Sequence, residues 1–79
     1  MFTPKDRYEL RNVLLNYQTD REKIISEYGP IGDWDVSNIT CMKYLFRGLK
    51  DFNENINDWD VSRVENMEGM FQDCSKYNQ

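Results

Sequence analysis

Along the first thirty residues the apolar positions recur with a helical period. Leu10, Val13, Leu14 and Tyr17 fall at i, i+3, i+4 and i+7, which is one face of a helix. Ahead of them, Thr3-Pro4-Lys5-Asp6 offers a capping residue, then Pro suited to the first helical position, then an acid for the first turn. Thr19-Asp20-Arg21-Glu22 has the spacing of a capping box and predicts a second, shorter helix with Ile24, Ile25 and Tyr28 as its apolar residues. Gly29-Pro30 ends it, because Gly suits the left-handed C-cap position and Pro cannot continue a helix. Residues 1–30 are therefore expected to form an α-helical N-terminal cap.

From Ile31 the pattern changes, and a shift of twenty-five residues lays the chain on itself. Asp33-Trp34-Asp35-Val36-Ser37 recurs as Asp58-Trp59-Asp60-Val61-Ser62, with Ile31 on Ile56, Met42 on Met67, Phe46 on Phe71 and Asn53 on Asn78. A fixed period of this size is the mark of stacked repeats. The two units are residues 31–55 and 56–79.

Within each unit the expectation is strand, turn, helix, loop. Ile31, Trp34 and Val36 have the apolar spacing that leucine-rich repeats use around a short strand. Ser37 or Asn38 would cap a helix bearing Ile39, Met42, Leu45 and Phe46, and Ser62-Arg63-Val64-Glu65 reads as a full capping box for its counterpart. The predicted fold class is thus α/β: a short leucine-rich-repeat-like solenoid of two strand-turn-helix coils, with parallel strand pairing, behind the helical cap. Its core would be Ile31, Trp34, Val36, Ile39, Met42 and Phe46 with Ile56, Trp59, Val61, Val64, Met67 and Phe71. The tryptophans would stack on one another from coil to coil, and Val36 and Val61 likewise.

The pattern I-x-D-W-D-V-S-x-[VI]-x-x-M-x-x-[ML]-F, followed by an aromatic-Asn pair, resembles the BspA-like leucine-rich repeat proteins over Ile31 to Gln79. The Tyr28-Gly29 pair just ahead of the first W-D-V-S is similar to what precedes that family's arrays. The resemblance implies a surface-protein repeat of the kind found in mycoplasmas, other bacteria, protists and large DNA viruses. It implies a cell-surface or virion location and a non-enzymatic interaction or scaffold module. The alternatives are a structural component of a larger assembly, such as a virion or surface layer, or a fragment of a longer adhesin. Family arrays run longer than two units and would continue into a third strand, so an open C-terminal end is expected. There another protein would dock, or the chain would associate with itself.

Composition narrows the function. A net charge of −4, with ten basic residues dispersed among fourteen acids, argues against nucleic acid as a partner. There is no apolar run long enough to span a membrane, and the N-terminus lacks the apolar core of a signal peptide. Size scaling places a 9.5 kDa chain near break-even between apolar burial and chain ordering, so a marginal domain that leans on a neighbour is expected. With no histidine, the chain lacks the commonest general base and zinc ligand, and no cofactor, metal or catalytic activity is expected. Cys41 and Cys74 differ in their place within the repeat and read as free, half-buried thiols.

Two sets of polar residues stand out. Asp35 and Asp60 are expected to accept backbone N–H groups at the strand-to-helix corner; a calcium ladder with Asp33 and Asp58 is the competing reading. The exposed positions that differ between units are Asn38 against Arg63, Thr40 against Glu65, and Lys43 against Glu68. These six are the expected partner surface. Asn53 and Asn78 would stack and hydrogen-bond the loop backbone.

Overall fold

The computed structural model describes residues 1–77. Helix α1 spans Arg7–Thr19 and buries Leu10, Val13, Leu14 and Tyr17, the face expected from the spacing. Its cap is Asp6 rather than Thr3: the extended Asp6 backbone lets its carboxylate accept the N–H of Glu9 at 2.9 Å, while Pro4 is buried ahead of the helix. Asp20 closes α1 through its N–H to Asn16 O and opens α2, Arg21–Tyr28, by accepting the N–H of Lys23. Gly29 ends α2 at φ 80°, its N–H on Ile25 O.

Beyond Pro30 the strand-turn-helix coil does not form. Ile31–Asp33 is a single 3-10 turn, and no strand is present among the described residues. What would have been strand pairing is one isolated parallel bridge, Cys41 to Asn66. The helices expected after Ser37 and Ser62 are also absent, since the α-helices end with α2. The α/β solenoid is therefore not the fold. The regular elements are two short helices and the 3-10 turn, and the remainder is built from tight turns.

The hydrogen bonds explain why. In the first unit Leu45 N–H bonds Met42 O, Arg47 bonds Tyr44, and Leu49 bonds Phe46, each three residues back. In the second unit Met70 bonds Met67, Gln72 bonds Gly69, and Cys74 bonds Phe71 in the same way. The intervening N–H groups of the first unit leave it altogether. Those of Met42, Tyr44, Phe46 and Gly48 bond the carbonyls of Asn66, Glu68, Met70 and Gln72 at 2.8 to 3.0 Å. A helix would use every N–H internally. Here alternate donors close turns and bind the neighbouring segment, so the two units lie side by side in parallel.

The turns still aim the expected apolar side chains inward. Ile31, Trp34, Val36, Ile39, Met42, Leu45, Phe46, Leu49 and Phe52 are buried with the inner face of α1 and with Ile24. In the second unit Trp59 and Met70 are buried, while Ile56, Val61, Val64 and Phe71 are half-buried against them. Met67 stands outside, 44% exposed. The tryptophans do not stack. Trp34 Nε1 donates to Tyr28 O and Gly29 O, and Trp59 Nε1 donates to Ile31 O at 2.8 Å. The rings that stack at the repeat spacing are Phe46 on Phe71, with centroids 5.1 Å apart, and Phe52 on Tyr77 at 5.8 Å.

Candidate docking edge

The parallel arrangement gives the second unit an outer edge. By the repeat spacing, Met67, Gly69, Phe71 and Asp73 correspond to the donors Met42, Tyr44, Phe46 and Gly48. Among the described residues no hydrogen bond leaves the N–H of any of these four. They line a surface that carries Met67, Phe71 and Tyr77. Phe71 and Tyr77 are half-buried and stack at 4.3 Å. Their counterparts Met42, Phe46 and Phe52 are no more than 2% exposed, because the second unit covers them. The edge thus repeats the donors and the apolar strip that the first unit uses to hold the second.

At the opposite end two of the four corresponding acceptors are filled. Arg7 and Arg11, one turn apart on α1, reach over the first unit. Arg7 Nη1 donates to Lys43 O at 3.4 Å and to Cys41 Sγ at 3.3 Å, and Arg11 Nη1 donates to Leu45 O at 2.8 Å. Lys43 O and Leu45 O correspond to Glu68 O and Met70 O, the carbonyls that the second unit presents to the first. Sequence reading missed these arginines as functional, since only their i, i+4 spacing on the helix was visible.

The six residues expected to form a partner surface bond one another. Arg63 Nη1 donates to Asn38 Oδ1 at 3.3 Å, Glu65 N–H bonds Thr40 O at 2.7 Å, and Lys43 pairs with Glu68 at 3.5 Å. They tie the units together along one exposed flank. That flank is a seam between the units, and the outer edge lies elsewhere.

The corner acids serve their own turns. Asp35 Oδ1 accepts the N–H and Oγ of Ser37, and Asp60 Oδ1 accepts the N–H of Ser62. Hydrogen bonds from Ser37 hold Asp35 below the usual carboxylate range, and those from Ser62 do the same for Asp60. No group of three or more His, Cys, Asp or Glu side chains among the described residues is arranged to hold a metal ion. The cysteines are free; Cys74 donates to Phe46 O, and burial pushes its thiol up. The expected role of Asn78 lies outside the described residues. Among those described, no helix is long and apolar enough to cross a membrane.

Comparison with known families finds one match. The model of the family described as "Mycoplasma protein of unknown function, DUF285" covers residues 11–79. No curated protein and no solved structure matches. The resemblance to BspA-like leucine-rich repeat proteins is corrected by these findings: the matching family carries no leucine-rich-repeat description, and the strands such repeats require are absent among the described residues. With it fall the repeat-scaffold function, the virion or surface-layer component and the adhesin fragment. The match runs from within α1 through both turn units, and the chain belongs to the DUF285 family of Mycoplasma proteins of unknown function.

Proposed function

We propose that the chain docks another polypeptide along the outer edge of its second unit. The observation behind this reading is the row of unfilled donors at Met67, Gly69, Phe71 and Asp73 beside the apolar strip of Met67, Phe71 and Tyr77. An open row of backbone donors is a template for a segment that offers carbonyls at alternate residues. The occupant would present such carbonyls and lay an aromatic or aliphatic side chain over Phe71. A second copy is hindered, because Arg7 and Arg11 occupy two of the four carbonyls it would offer, Lys43 O and Leu45 O. The reading is non-enzymatic: the chain has no histidine.

A synthetic peptide of residues 56–77 tests the edge, because in the chain this segment supplies the matching carbonyls to the first unit. Amide exchange at Met67, Gly69, Phe71 and Asp73 should be fast in the chain alone and slow in a saturable way as the peptide is added. Unchanged exchange at all four amides with saturating peptide would remove the reading. A purified chain that is already oligomeric by light scattering, with those amides protected, would replace the foreign partner by a second copy.

A further inference from the structure

The chain is acidic, yet one face of it is not. Arg7 and Arg11 of α1 meet Lys43 and Arg47 of the first unit around two tyrosines, Tyr8 and Tyr44. The Arg7 guanidinium lies 4.9 Å from the Tyr8 ring centroid, while Lys43 and Arg47 approach Tyr44 at 5.2 and 5.3 Å. Arg7, Tyr8, Arg11, Lys43, Tyr44 and Leu45 line a cleft of about 210 Å³, and Arg47 stands at its rim on the Tyr44 ring rather than in the lining.

The counter-charge is missing from most of this cluster. The ion pairs among the described residues are Arg21 with Glu54, Lys43 with Glu68, and Lys76 with Asp51. Among the described residues Arg7, Arg11 and Arg47 pair with no carboxylate. Arg11 is half-buried and uses a single Nη1 bond, to Leu45 O. Burial pushes its pKa down, with Cys74 working against this and the like charge of Arg47 adding to it. A planar guanidinium with unused donors at the wall of a cleft is suited to a two-pronged hold on an oxyanion.

We infer that this cleft binds an oxyanion, a carboxylate or a phosphate group, held by Arg11 and Arg7 in its wall and drawn in by the charge of Arg47 at its rim. The site is separate from the docking edge: it lies where α1 covers the first unit and uses side-chain donors rather than backbone N–H groups.

Two probes distinguish the sources of such a group: an oligo-glutamate peptide and inorganic phosphate, each titrated into the full chain at low ionic strength and followed by NMR at the arginine Nε–H and tyrosine ring signals. Saturable shifts at Arg11, Arg47 and Tyr44 are expected, fading as salt is raised. The probe that binds more tightly names the source. Arg47→Gln, at an exposed residue whose side chain makes no hydrogen bond among the described residues, should weaken binding about tenfold through loss of the attracting charge. Arg63→Gln, on the seam between the units, should leave it unchanged. Absence of saturable shifts with both probes, or equal binding by Arg47→Gln and the native chain, would overturn the assignment.

Discussion

Positive φ recurs at the same two places in each unit: Tyr44 and Gly48 in the first, Gly69 and Asp73 in the second, at 58°, 78°, 63° and 61°. Tyr44 corresponds to Gly69 and Gly48 to Asp73, so each unit places one glycine and one larger residue at a pair of left-handed positions. Side chains with a Cβ are strained there. A Cβ at Gly48 meets no atom within 4 Å, so Gly48→Ala tests backbone strain alone and should cost about 1–2 kcal/mol. A Cβ at Gly69 falls 2.3 Å from the Tyr44 ring, so Gly69→Ala adds a clash and should cost more. Chemical denaturation of the two variants checks the order. Equal losses would mean that the Tyr44 ring moves aside at little cost.

Between elements, the junction of α1, α2 and the loop that closes the first unit rests on three side chains. Tyr17 donates to Glu54, Arg21 Nε donates to Tyr17 at 3.1 Å, and Arg21 Nη2 pairs with Glu54 at 2.9 Å. Burial, and then the bond to Glu54, push Tyr17 from 10.0 up to about 12. Burial alone would raise Glu54, but the bonds from Tyr17 and Arg21 together hold it low. A raised folded-state pKa means that the Tyr17 contribution to stability is full below pH 10 and is lost as pH climbs toward 12. Tyr17→Phe should therefore flatten the fall in stability over that alkaline window without abolishing it, since burial raises Tyr77 as well. Thermal melts at stepped pH check this; an unchanged slope would mean that Tyr17 ionises as freely folded as unfolded.

The same elements show how far the sequence reaches. The α1 face and the Gly29 stop were legible because local spacing and one backbone preference decide them. The shift of twenty-five residues was legible as identity in the sequence, but it did not fix burial, since Met42 is buried and Met67 is 44% exposed. The turns were not. Met42, Leu45, Phe46 and Leu49 have the spacing of a helix face, and a chain of three-residue turns points them inward just as well. What separates the two is whether the N–H of Met42, Tyr44, Phe46 and Gly48 stay inside the segment or cross to the next, which is a tertiary choice. The bonds among the six residues expected as a partner surface were not legible for the same reason: side chains twenty-five residues apart meet across the seam only once the units lie side by side.

At the scale of the whole molecule the two ends are unlike. One presents backbone donors at Met67, Gly69, Phe71 and Asp73; the other has its carbonyls at Lys43 and Leu45 closed by Arg7 and Arg11. Were both ends open, a donor edge on one copy would match an acceptor edge on the next, and a head-to-tail contact of this kind repeats without closing. The arginines on α1 block that growth at one end while leaving the other available. Arg7→Ala with Arg11→Ala removes the side-chain donors but keeps the buried face of α1, since Leu10, Val13, Leu14 and Tyr17 are untouched. The double variant should retain its helices by circular dichroism and yet form concentration-dependent head-to-tail oligomers by light scattering, with slowed amide exchange at Met67, Gly69, Phe71 and Asp73. A folded variant that stays monomeric at every concentration would show that the body of α1, rather than its two guanidinium groups, keeps the acceptor end closed.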